Sequence, residues 1–198
     1  MRRFLLPALV LFAVACGNDG ASPDQSEWLT VLGRKKAATS PQATPADRQA
    51  YADSLAAFVR KNPQHSRGRE VYQHIQIDFA HELASLGRYQ DAIRFYRAVL
   101  SHDPTNQQAL DGLTSAADHL AVSRAKLLSL EKGMSQREVA HLLGKPIPGW
   151  TVTNDRRDAT IESWYYRRTG GGIAGVYFRD GKLFAAEENS QARLTPLQ

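Results

Sequence analysis

Residues Leu86–Pro104 read LGRYQDAIRFYRAVLSHDP. Apolar side chains recur through this stretch at helical spacing, which predicts a helix over about Tyr89 to Ser101. Gly87 is placed to end the preceding helix as a left-handed cap, and Pro104 stands just beyond the predicted helix. Upstream, the pattern predicts a helix over about Arg69 to Leu86, with Tyr72, Ile75, Phe79 and Leu83 on one face. An earlier helix is predicted from Pro45 to about Arg60, with Thr44 as N-cap and Pro45 at the first helical position, stopping before Asn62-Pro63. Downstream, a fourth helix follows Pro104-Thr105-Asn106 and runs to about Leu120.

The Leu86–Pro104 segment resembles the second half of a tetratricopeptide repeat. Gly87 and Tyr89 match its turn, Ala92 the small residue at the helix crossing, Tyr96 the large aromatic and Pro104 the closing proline. Phe79, Ala80 and Leu83 stand at core positions of the first half, and Ala109, Leu110 and Leu113 open a further repeat-like helix. Tyr51, Phe58 and Pro63 fit the end of a preceding repeat, although Pro63 and Pro104 lie farther apart than the repeat unit of about 34 residues. An ordinary bundle of helical hairpins is the other reading. The resemblance implies binding of peptides or partner helices. Its groove positions fall on His74, Ile77, His81, Ala84 and Ser85, then on Gln108, Asp111, Ser115, Asp118 and His119. His74, Asp78 and His81 share a helical face with ligand-like spacing, but a polar groove face explains them without a metal.

The chain changes character after about residue 126. In LEKGMSQREVAHLLGKP, Leu130–Pro146, Gly133 makes a turn and Ser135 and Glu138 form a capping box. Val139, Leu142 and Leu143 give the short helix an apolar face, and Gly144 and Pro146 stop it. TVTNDRRDA then reads as a polar loop. Strands are predicted over Ile161–Arg168, Ile173–Arg179 and Lys182–Glu187, with a hairpin turn at Asp180-Gly181. Trp164, Tyr166, Val176, Phe178 and Leu183 supply one core face of this three-stranded meander, which leaves Tyr165 and Tyr177 on an exposed face as candidates for binding.

Gly133-Met134, the helix Gln136–Leu143, Leu143-Gly144-Lys145-Pro146, Trp164-Tyr165-Tyr166 and Phe178-Arg179-Asp180-Gly181 occur in the order seen in the SmpA/OmlA family of BamE-like domains, which this third of the chain resembles. The resemblance implies helices packed on a three-stranded sheet and a role in outer-membrane protein assembly. β-Lactamase-inhibitor-like modules have the same architecture, so an inhibitor or ligand-binding module acting on a soluble periplasmic enzyme is the alternative.

Residues 1–15, MRRFLLPALVLFAVA, have two arginines, a twelve-residue apolar run and small residues ahead of Cys16. This is the layout of a signal peptide, and the run is shorter than the roughly twenty residues that span a bilayer. Ala13-Val14-Ala15-Cys16 resembles a lipobox, which implies lipidation of Cys16, the only cysteine, and anchoring by acyl chains. Gly17 stands where Asp resembles an inner-membrane retention signal, so the outer membrane is favoured. Residues 16–44 are rich in Ser, Pro, Gly, Ala, Thr and Gln and read as a lipidated flexible tether, interrupted by Trp28–Leu32.

The 25 basic residues exceed the 20 acidic ones, and Arg2 and Arg3 leave with the leader. The remainder are scattered, apart from pairs such as Arg167-Arg168, which is not the footprint of a nucleic-acid binder. Gly170-Gly171-Gly172-Ile173-Ala174-Gly175 has the spacing of a dinucleotide loop but lies between strands. Nothing in the chain reads as a catalytic motif or a cofactor site. The expectation is an α+β lipoprotein: signal peptide 1–15, tether 16–44, tetratricopeptide-like helices 45–126, an SmpA/OmlA-like domain 127–190 and a tail 191–198. Its expected partners are a membrane, through lipid on Cys16, and envelope or outer-membrane proteins.

Overall fold

The computed structural model describes residues 23–190, so the leader, Cys16 and the tail 191–198 lie outside the described residues. The fold is mixed α+β, with seven helices and a four-stranded antiparallel sheet among those residues. The chain divides into two compact units, one ending at Gly68 and the other beginning at Arg69.

The first unit contains α1 (Pro23–Ala38), α2 (Pro45–Lys61) and the first turn of α3 (Ser66–Ser85). α1 corrects the expected tether: sixteen residues within 16–44 are helical. Weak propensity is offset by tertiary contact. The Trp28 ring lies 5.2 Å from Phe58 and 5.0 Å from His65, and Val31 is 2% exposed. Glu27 forms an ion pair with Lys61, whose hydrogen bond holds the Glu27 carboxyl below its usual range. α2 starts as the sequence indicates, with a capping box between Thr44 and Asp47 and Pro45 at its first turn.

In the second unit, the rest of α3 shares one apolar core with α4 (Tyr89–His102) and α5 (Gln107–Asp118). α3 buries Ile77, Ala80 and Leu83, not the full predicted stripe of Tyr72, Ile75, Phe79 and Leu83. Phe79 is 44% exposed and packs edge-on against Phe95 of α4 at 4.9 Å. The buried face is thus rotated by about one position, placing the small Ala80 in the core with Ala92 and leaving Phe79 at its edge.

A second core joins the short α6 (Arg124–Leu128), α7 (Gln136–Leu143) and the sheet. The sheet runs in the order β1 (Thr151–Asp155), β2 (Thr160–Arg167), β3 (Ile173–Arg179), β4 (Lys182–Glu187). Trp164, Tyr166, Val176, Phe178 and Leu183 supply its core face, as their alternation predicts. β1 is the correction to the three-stranded meander. Its five residues are all exposed, so no apolar alternation marks it, yet Val152 pairs with Ser163 and Thr153 with Glu162. At the opposite edge, Gly133 N–H donates to Leu183 O (2.7 Å) and Leu183 N–H to Met134 O (2.8 Å), so the turn before α7 covers β4. Asp180 and Gly181 both have positive φ (50° and 75°), as a two-residue hairpin turn of the primed type requires.

Phe178 is completely buried, whereas Val152 is exposed on the edge strand. Phe178→Ala is expected to cost about 3–5 kcal/mol of unfolding free energy, and Val152→Ala about 0.5 kcal/mol or less. Urea denaturation followed by circular dichroism checks both.

Candidate functional site

Within the second unit, two motif turns are locked together. Gly87, which closes α3, has φ +77°, and a Cβ there would lie 2.4 Å from Pro146 O. Gly144, which closes α7, has φ +79°, and a Cβ there would lie 2.5 Å from Tyr89 Oη and 2.8 Å from His119 Cγ. These approaches need glycine on both counts, space and backbone. The Tyr89 hydroxyl donates to Lys145 O at 3.1 Å, and the Tyr166 hydroxyl to Gly144 O at 3.0 Å. Both phenols are pushed up by burial, Tyr166 strongly, so they stay neutral donors.

Beside this clamp a cleft of about 440 Å³ opens between α3, α5 and α7. Ala84 and Ser85 of α3, Ser115 of α5 and His119, which caps α5, line it. Arg137 and His141 of α7 contribute to the same lining, which sequence reasoning had not joined to the helices. His119 lies against the Tyr89 ring at 5.5 Å. Burial pushes its imidazole below the ordinary histidine value, and the charge of Lys126 adds to this, while Asp118 opposes it.

The other candidates divide. His74 and His81 of α3 and Gln108 and Asp111 of α5 are exposed, but none of them lines this cleft. His81 sits 5.6 Å from the Tyr96 ring, and Asp111 accepts a hydrogen bond from Gln107 at 2.8 Å. Asp118 is engaged by Lys126, whose hydrogen bond and charge hold its carboxyl low. Ile77 is 2% exposed inside the helical core, which removes it from any groove; it faces α4 and α5 with Ala80. His74, Asp78 and His81 form no ligand cluster, and no group of three or more potential metal ligands occurs among the described residues.

Tyr165 and Tyr177 are corrected as an exposed sheet face, for they are only 7% and 6% exposed. Their rings meet edge-on at 6.4 Å, and the Tyr177 hydroxyl lies 3.1 Å from Ser190 Oγ and donates to Glu187 at 3.2 Å. Alternation put them opposite Trp164 and Phe178 correctly, but opposite the first core does not mean facing water. A bulge at Tyr177/Phe178 leaves Phe184 unpaired, and its ring packs 6.3 Å from Tyr177.

Comparison of the chain with protein-family models, with curated proteins and with solved structures gives no match.

Gly144→Ala is expected to destabilise the second unit by at least about 2 kcal/mol, from left-handed backbone strain and overpacking. Adding Tyr89→Phe restores part of that loss, a coupling that a double-mutant denaturation cycle measures. His119 adds a pH dependence. Its folded value lies below its unfolded one, so the unfolded chain binds the extra proton and stability falls as pH drops through and below about 6.5. Melting temperatures from pH 7.5 to 5.5 are expected to fall more steeply for the wild type than for His119→Gln.

Proposed function

We propose that this chain is an exported lipoprotein, held at the envelope by lipid on Cys16, that acts as a protein-binding scaffold in outer-membrane protein assembly or envelope maintenance. The observation that supports the anchor is the leader itself: two arginines, a short apolar run and Ala13-Val14-Ala15 directly before the chain's single cysteine. Acyl chains on one cysteine supply anchoring without a spanning helix, since each buried methylene contributes about 0.8 kcal/mol. No helix among the described residues is long and apolar enough to cross a membrane.

The observation that supports protein binding is the cleft at Ser85, Ser115 and His119, where groove positions inferred from the tetratricopeptide resemblance come together. The SmpA/OmlA-like motif order from Gly133 to Gly181 supports an envelope setting for that binding. In this reading Leu143–Pro146 serves as a fixed wall of the cleft, since Gly144 and Lys145 line it. A partner segment would lie against α3 and α5 on one side and α7 on the other.

Two measurements test the reading separately. Radiolabelled palmitate is expected to enter the wild type and not Cys16→Ser, with the wild type alone partitioning into detergent; an unlabelled, water-soluble wild type rejects the anchor. Photo-crosslinking probes at Ser85 and Ser115 in cells are expected to capture outer-membrane barrel or assembly proteins. Capture of a single soluble periplasmic enzyme instead would replace the scaffold with the inhibitor-like alternative.

A further inference from the structure

A second and larger cleft, of about 700 Å³, lies in the same unit. Its lining is contributed by the start of α4, the segment after α5, the Ile147-Pro148 loop and the end of β2. Leu120, Ile147 and Pro148 make it apolar, and its charged lining is three arginines, Arg88, Arg167 and Arg168, against one carboxylate, Asp91, which is paired with Arg88. The two end-of-strand arginines are held by backbone. Val122 N–H donates to Arg167 O at 2.8 Å, and Thr169 N–H donates to Val122 O at 3.0 Å. Their side chains therefore project from a fixed ladder and not from a free loop.

The cations here outnumber their partners. Asp91 serves both Arg88 and Arg94, and Glu188 serves both Arg124 (3.0 Å) and Arg168 (3.4 Å). Arg167 has for company the face of Trp150, 5.6 Å from its guanidinium carbon. Two carboxylates thus serve four guanidiniums, and a fifth rests on an aromatic ring. Arg168 is the most telling. Its side chain is 26% exposed, its ion pair is long, and its Nε is buried with no hydrogen-bond partner among the described residues. A guanidinium carries five donors, and a buried one left unpaired is costly. That Nε is itself closed to solvent, so Arg168 meets a ligand through the accessible part of its side chain, which lines the cleft.

The geometry points to this cleft as a carboxylate-binding site for an extended acidic peptide, with Arg168 as the anchor, Arg167 and Arg88 as the more exposed cations, and Leu120, Ile147 and Pro148 receiving an adjacent apolar side chain. Arginine suits the role because its planar fork matches a carboxylate, and the Arg167 guanidinium lies over the Trp150 ring. A mostly apolar cleft with a few fixed polar groups is the ordinary form of a selective site. The carboxylate comes from an acidic side chain or from a peptide's C-terminus. The site stands apart from the scaffold reading: it uses a different cleft from that at Ser85 and Ser115, although Tyr89 lines both.

Fluorescence anisotropy on the full chain in detergent micelles tests it with three labelled pentapeptides. One alternates leucine and glutamate with both ends blocked. The second replaces glutamate by glutamine, and the third is the second with a free C-terminal carboxylate. A carboxylate-bearing peptide is expected to bind at least tenfold more tightly than the blocked glutamine peptide, and whether the first or the third does so identifies the source of the carboxylate. Arg168→Gln is expected to weaken that peptide at least tenfold and Arg167→Gln about threefold, while Arg157→Gln, on an exposed loop, leaves it unchanged. Arg167 is exposed, so its variant reports even if Arg168→Gln perturbs folding. Equal binding of all three peptides, no binding of any, or wild-type affinity in both Arg167→Gln and Arg168→Gln overturns the assignment.

Discussion

The second unit depends on two glycines that admit no side chain. Gly87 faces the carbonyl of Pro146, and Gly144 faces the hydroxyl of Tyr89, each at a distance that a Cβ would violate. Backbone packed this closely must satisfy its own polar groups. The Tyr89 and Tyr166 hydroxyls do so by donating to Lys145 O and Gly144 O from opposite sides, one from the helical core and one from the sheet core. The clamp therefore joins two apolar cores that would otherwise be separate. Burial keeps both phenols protonated, so the clamp itself does not titrate near neutral pH. The neighbouring His119, whose imidazole burial pushes below the ordinary histidine value, is the residue through which pH reaches this junction.

Local chemistry was legible in the sequence wherever it fixed structure by itself. The N-cap at Thr44, the capping box at Ser135, the positive φ of Gly87 and the Asp180-Gly181 turn all follow from residue types within a few positions of each other. The strand alternation of Trp164, Tyr166, Val176 and Phe178 likewise located the sheet core. What the sequence left out depends on distant partners. β1 exists because β2 offers it hydrogen bonds, and its own residues, all exposed, carry no pattern. α1 forms because Trp28 finds Phe58 and His65, thirty or more residues away.

The candidate site divides along the same line. Ser85, Ser115 and His119 line one cleft, and helical spacing is what groups Ser115 with His119, since spacing along a helix fixes which residues share a face. Ile77 could not be placed in this way, since a rotation of the helix by one position exchanges a lining residue for a core residue. Tyr165 and Tyr177 failed for a different reason: alternation reports which face a residue takes and not what lies against that face. The wall formed by Arg137 and His141 has no signature at all in the helical segment, because it comes from beyond residue 126.

The surface charges bear on how the two clefts should be weighed. Most ion pairs of the second unit involve at least one well-exposed partner, such as Arg94 with Asp91 or Arg124 with Glu188. Pairs of that kind contribute about 0–1 kcal/mol each. Burying Phe178, Tyr96 and Leu143, each fully enclosed, contributes several times more. The fold thus has no need of an arginine excess around the end of β2, and a partly buried Arg168 with an unpaired Nε works against it. A residue type that costs stability where it stands is retained most simply for what it binds, whereas the polar lining at Ser85 and Ser115 costs nothing and so carries less information about function. On physical grounds the arginine cleft is therefore the stronger pointer to a ligand, even though the sequence directs attention first to the helices.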